Sequence, residues 1–212
     1  VLERRPDLLD LAIAARPRFI SISFGDPAPY VERVRAAGIL TGSQVQNRAS
    51  AQTALDAGVD ILTAQGTEAG GHTGAVGTLP LLQIVLAMTD KPVIAAGGIS
   101  TGRGFAAVLA AGAAGAWVGT PFLLARESRT TPQAQAVIAS SDETQTVLTS
   151  VFDRIQHKGW TTEYRGRALR NAFVDRWDGH EDAMMSQPQA ESDFARAKTA
   201  HDYKVANIYA GQ

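Results

Sequence analysis

The chain has no cysteine among its 212 residues. That excludes disulfides, thiolate metal sites and cysteine nucleophiles, and it suits a reducing compartment, so a cytoplasmic location is expected. It also lacks a charge bias: 20 Lys and Arg face 21 Asp and Glu, a formal net charge of −1. Neither nucleic acid nor an anionic membrane is implied as a partner. The first residues, "VLERRPDLLDLAIAARPRF", intersperse charge with apolar residues and contain no signal-peptide h-region. The one uncharged run long enough to suggest a membrane span, "GFAAVLAAGAAGAWVGTPFLLA" from Gly104 to Ala125, is mostly Ala and Gly. It is broken by "AGAAGA" and is read as a buried helix–strand pair.

What the chain does have is rhythm. From Arg18 to Ala125, short β-rich apolar runs alternate with Ala-rich helical stretches. Strands are expected at 18–24, 38–45, 60–65, 92–98 and 115–120, and helices at 28–37, 48–58, 78–89 and 102–112. Several of these helices end in Ala-Gly, which puts glycine where a helix C′ residue needs positive φ. Such alternation indicates βαβ units and a parallel sheet. The rhythm breaks between 126 and 204, a polar and uneven stretch that is too long for a loop in a compact domain. It is expected to be a mostly helical insertion or lid, with helix and disorder both open for 179–192. A last strand is expected in "YKVANIYAG" (203–211). Six strands leave open an eight-stranded barrel short of two strands or a doubly wound sheet.

Ligands in parallel α/β folds bind where strand C-termini meet the following loops. "TAQGTEAGGHTG" (63–74) occupies such an end and places His72 among Gly66, Gly70, Gly71 and Gly74. The glycines let backbone N–H groups approach a ligand, and the imidazole suits proton transfer. Glu68 and His72 stand four apart, yet so much glycine bars a helix and hence a helical metal pair. A second Gly turn, Gly97-Gly98 in "AAGGISTGRG", opens a helix and suits a phosphate. Its Gly102-x-Gly104-x-x-Ala107 spacing lacks the acidic residue that a dinucleotide site needs, because no Asp or Glu lies between Lys91 and Arg126. "WVGTPF" adds a third strand end with Gly119 and Thr120. Two consecutive strand ends with phosphate-type turns are typical of a TIM barrel.

Together "AQGTEAGGHTG", "PVIAAGGIS" and "GAWVGTPFL" resemble the nitronate monooxygenases, FMN-dependent TIM-barrel enzymes, and "GRALRN" (166–171) and "IYAGQ" (208–212) follow in family order. The resemblance implies an α/β fold, a TIM (β/α)8 barrel with a mostly helical lid, seen here without its first two strands. Residues 1–125 would be strands three to seven with their helices, 126–204 the lid and 205–212 the last barrel strand, within a longer protein. The resemblance makes His72 the catalytic residue. It assigns FMN binding to Gln65, Gly70, Gly71, Gly97, Gly98, Trp117, Val118, Gly119 and Thr120, and no metal. Trp117 departs from the smaller or polar residue often seen there. The implied reaction oxidises an alkyl nitronate or nitroalkane with O2 to a carbonyl compound and nitrite. A flavin-dependent NADH enoyl-acyl carrier protein reductase and a non-catalytic flavin-binding protein are the alternatives. Apolar faces on the barrel helices would permit a homodimer. His157, His180 and His201 are expected on the surface, and Met184 and Met185 as an apolar anchor for the lid or a substrate contact.

Overall fold

The computed structural model describes residue 2 and residues 5–212. Its described strands are β1 (Phe19–Ser21), β2 (Leu40–Val45), β3 (Ile61–Gln65), β4 (Gly71–Thr73), β5 (Val93–Ala96), β6 (Gly115–Trp117), β7 (Thr146–Thr149) and β8 (Arg165–Leu169). They divide between two compact units, the first formed by residues 1–65, 76–96 and 101–117, the second by 66–75, 97–100 and 118–212.

In the first unit the alternation read from the sequence becomes a five-stranded, wholly parallel sheet in the order β1-β2-β3-β5-β6. Its helices are α1 (Asp7–Ala14), α2 (Ala28–Ala36), α3 (Arg48–Asp56), α4 (Thr78–Leu86) and α5 (Gly102–Ala110). Parallel strands need helical crossovers, and a sheet covered by them has little use for polar residues. Val45, Leu62, Ala64 and Ala95 of the strands and Leu81, Leu82 and Val85 of α4 are fully buried, and β2 and β3 also bury Thr41, Ser43, Thr63 and Gln65. Gly38, Gly58 and Gly112 end α2, α3 and α5 with positive φ, as the Ala-Gly pairs foretold. A capping box starts α3: the Asn47 side chain accepts from Ser50 N–H while the Ser50 hydroxyl binds Asn47 N–H. Asp60, in the turn before β3, accepts from both the Thr41 N–H and the Thr41 hydroxyl. Burial works to raise its pKa, but these bonds and the charges of Arg35 and Lys91 outweigh it and hold the carboxyl below its ordinary value.

Register places Gln65, Ala96 and Trp117 in one row across the C-terminal ends of β3, β5 and β6. The Gly-rich turns follow directly from these residues in the chain. The expected helix–strand pair of 104–125 is present as α5 and β6, and no helix among the described residues is long and apolar enough to cross a membrane. The pair is less buried than expected. Val108 is the one buried residue of α5, while Phe105, Leu109 and Trp117 are exposed.

The second unit is where structure departs most from expectation. It is largely helical, with α6 (Pro132–Ser140), α7 (Val151–Ile155), α8 (Ala172–Trp177), α9 (Glu181–Met185) and α10 (Pro188–Ala200). Residues 179–192 are thus mostly helix. It also holds an antiparallel sheet in the order β4-β8-β7 that the sequence did not disclose. Its core centres on Phe152, Phe173 and Phe194, with ring centroids 5.4–6.4 Å apart, and on Val151, Val174, Trp177 and Met184. Met184 is a core anchor, fully buried. The segment 205–212 was expected as a barrel strand; among its residues one antiparallel bridge forms, Tyr209 to Ala168. Its backbone is committed elsewhere: Ile208 C=O accepts from Leu169 N–H, Gly211 N–H donates to the Thr120 hydroxyl and Gln212 N–H to Glu68 C=O.

Candidate active site

His72 lies at the centre of the three-residue strand β4, flanked by glycine on one side and the buried Thr73 on the other. The Thr73 hydroxyl donates to Gly66 C=O at 2.8 Å and so closes the Gly-rich loop on itself. Across the antiparallel sheet His72 pairs with Gly166 of β8, and Gly166 pairs in turn with Thr149 of β7. Four residues beyond Thr149, in the first turn of α7, stands Asp153. Sheet register therefore brings together two side chains that are 81 positions apart in sequence.

The geometry is close. His72 Nε2 is 2.7 Å from Asp153 Oδ2, and both side chains are nearly buried, 12% and 5% exposed. The Tyr209 hydroxyl donates to the second carboxylate oxygen, Oδ1, at 3.3 Å. Burial, then the Asp153 charge and this bond, push the Tyr209 phenol far above its ordinary pKa, so it stays protonated and donates. Trp160 stacks on the imidazole with centroids 3.7 Å apart and planes 12° from parallel. The Tyr209 ring sits 5.6 Å from it, tilted, with the Lys158 ammonium 5.7 Å from the tyrosine's centroid. The imidazole is thus held in its plane by a carboxylate and an indole.

Gly166 makes room for this arrangement. A Cβ there would fall 2.6 Å from the Tyr209 ring. Neighbouring Arg167 fastens the loop before His72: its Nε donates to Thr67 C=O at 2.6 Å and Nη1 to the Thr146 hydroxyl at 3.1 Å. Burial pulls this guanidinium below its ordinary pKa, with the Glu68 charge opposing. Arg170, the other arginine of "GRALRN", is exposed and pairs with Asp175 at 2.7 Å.

The expected cofactor residues divide by environment. Gln65 is buried, and its amide oxygen accepts from Gln46 Nε2 at 2.8 Å. Gly97 and Gly98 both take positive φ, +110° and +66°. Gly71 also has positive φ, and like Gly119 it has open space where a Cβ would stand. Gly70 is different, because its Cβ position is already filled by the backbone of Ala210 and Gly211. Val118 follows the exposed Trp117, and the Thr120 hydroxyl is engaged by Gly211 N–H. His157, His180 and His201 are exposed, as expected.

Asp153, Tyr209 and Trp160 escaped the sequence reading. "SVFDRIQ" and "HKGW" carry no spacing that ties them to "GGHTG". The available signal was weak: a lone carboxylate within the apolar run "VFDRI" has to find a partner when buried.

Residues 6–210 match the family described as nitronate monooxygenase. The chain belongs to that family. A Mycobacterium tuberculosis relative, named only provisionally as a monooxygenase, is 35% identical over 97% of this chain and 56% of its own length. A Rhodococcus jostii protein named as the dehydrogenase of a hydroxy-methyl-oxo-octahydroindene carboxyl-CoA is 35% identical over 74% of the chain and 45% of its own. Among solved structures, a nitroalkane oxidase from Streptomyces ansochromogenes is 31% identical, with a TM-score of 0.80 over 96% of this chain and 60% of that one. That neighbour is a TIM barrel, and the parallel sheet here is part of the same fold. The chain spans about half the length of the curated relatives it matches.

Proposed function

We propose that the full-length protein is an FMN-dependent oxidase of small nitro compounds, converting an alkyl nitronate or nitroalkane and O2 to a carbonyl compound and nitrite. The observation that carries this reading is His72 locked against buried Asp153 at the end of a Gly-rich strand loop, in a chain of the nitronate monooxygenase family. Membership alone does not single out a residue; the short contact of His72 with a buried carboxylate is what supports it as the one that acts.

The residues present fit an FMN. Gly97 and Gly98 take positive φ, and Gly119 has open space where a Cβ would stand, so these turns carry no side-chain bulk of their own against a ligand. Gln65, Gly70, Gly71, Gly97, Gly98 and the run Trp117, Val118, Gly119 and Thr120 would hold the cofactor. Trp117 would contribute its backbone, which explains why a bulky, 42% exposed side chain is tolerated there. When bound, FMN supplies the electron acceptor and the reactivity toward oxygen.

His72 acts on the substrate. It removes the α-proton of a neutral nitroalkane, or sets its charge beside the oxygens of a nitronate that arrives already deprotonated. The segment 126–204 would limit water and set substrate size. The reading includes a cytoplasmic location, in keeping with the absence of cysteine, and it allows a homodimer.

Purified full-length protein is expected to consume O2 and release nitrite when given a primary alkyl nitronate. NADH-dependent reduction of an enoyl thioester, with no nitrite from any nitronate, would overturn the proposal. The Rhodococcus relative gives that second reading its footing, since its name places a coenzyme A thioester on a protein 35% identical to this one.

A further inference from the structure

We infer that Asp153 is the positioning residue for His72: its carboxylate accepts a hydrogen bond from Nε2–H and fixes the tautomer whose basic nitrogen is Nδ1. The inference rests on the proposed role of His72 as base. It adds the residue that decides which nitrogen reacts and where the ring stands.

The geometry around the pair supports it. The contact is short, 2.7 Å, between side chains that are nearly buried, where a neutral imidazole beside an ionised carboxylate donates rather than accepts. The carboxylate is itself held at its other oxygen by Tyr209, whose phenol burial keeps protonated, so Asp153 cannot rotate without losing a second bond. Finally, Gly166 pairs with both His72 and Thr149 in the register and leaves its side-chain space to the Tyr209 ring, which a Cβ there would meet at 2.6 Å. Trp160 stacked on the imidazole removes the remaining rotational freedom. Lys158 lies over the Tyr209 ring, and Arg167 on β8 is committed to Thr67 and Thr146.

The step this serves balances without a further reactant. The proton on the substrate carbon passes to His72 Nδ1, and the C–H electron pair becomes the C=N bond of the nitronate. The nitro oxygens take the negative charge, and the imidazolium is paired with Asp153. A carboxylate that fixes a catalytic imidazole in this way supports both its tautomer and its cationic form.

The test has two readouts. In full-length protein labelled with 15N-histidine, His72 should show a pyrrole-type Nε2 carrying hydrogen and a pyridine-type Nδ1 in its neutral form. The opposite tautomer would overturn the inference, whatever the activity. In Asp153→Asn, which keeps size and an acceptor oxygen but loses the charge, kcat/KM for a neutral nitroalkane should fall by about 10- to 1,000-fold. The nitronate, which has no proton to give, should lose far less, so that the nitroalkane-to-nitronate ratio falls at least tenfold. Equal losses on both substrates would reduce Asp153 to a structural role and overturn the inference. If neither substrate turns over in the wild type, the proposed function fails, and the tautomer measurement still decides the place of Asp153.

Discussion

Replacing His72 with alanine is expected to lower kcat/KM for a neutral nitroalkane by about 100- to 10,000-fold, the range that one well-placed general base supplies. A nitronate should lose much less, because its proton is already gone. The substitution also strips a partner from a buried carboxylate, leaving Asp153 with the Tyr209 hydroxyl. An unsatisfied buried acceptor costs about 1–3 kcal/mol, so some loss of stability should accompany the loss of rate. His72→Gln separates the two effects, since its amide can still donate toward Asp153 while offering no base. Steady-state kinetics on both substrates, alongside urea denaturation, checks this. Full nitroalkane activity in either variant would remove His72 from the chemistry.

The second large effect is structural, and it concerns a glycine that the family resemblance assigns to the cofactor. A Cβ on Gly70 would lie 2.6 Å from Gly211 N and 2.8 Å from the Ala210 carbonyl carbon. The converse also holds: a Cβ on Gly211 would fall 2.5 Å from Glu68 C=O and 2.8 Å from Gly70 N. Two backbones cross here with no side chain between them, and backbone atoms cannot swing aside as a long side chain can. Gly70→Ala must therefore push 208–212 away, straining its bonds to Glu68 and Thr120 and unseating Tyr209 from Asp153. Overpacking of this kind costs about 1–3 kcal/mol. We expect the urea midpoint of the full-length protein to fall accordingly, with or without flavin. In the flavin-free protein Gly119→Ala, whose Cβ meets nothing within 4 Å, is the control and should change stability by less than about 0.5 kcal/mol. Equal midpoints for wild type and Gly70→Ala would show that the crossing is not close.

These two residues also show what the sequence could convey. The parallel sheet was legible because it obeys a local rule: apolar run, helix, Ala-Gly stop. Each of its five strands and four of its helices fell where that rule placed them. The antiparallel sheet obeys no such rule. β4 is three residues, "GHT", in a glycine-rich stretch that reads as a loop, and β7 is "TVLT", too short for alternation to register. What stabilises them is pairing with β8 from a distant part of the chain, a tertiary fact. The candidate site is similarly divided. His72 stood out through its glycines and its place after a strand. Asp153 and Tyr209 reach it through register and a chain crossing, neither of which leaves a spacing in the sequence. The glycines themselves had more than one reason to exist, since Gly98 supplies a left-handed turn, Gly70 a backbone crossing and Gly166 a place for a ring.

The proposed function requires that this chain form part of a flavin site that accepts electrons from nitronates. Anaerobic visible spectroscopy of the full-length protein tests it most directly, following the oxidised flavin band as an alkyl nitronate or, separately, NADH is added. The account predicts that the nitronate bleaches the band and NADH does not. Bleaching by NADH alone would contradict it and assign the site to enoyl-thioester chemistry. A protein with no flavin band would show that the Gly turns at Gly98 and Gly119 serve some other end.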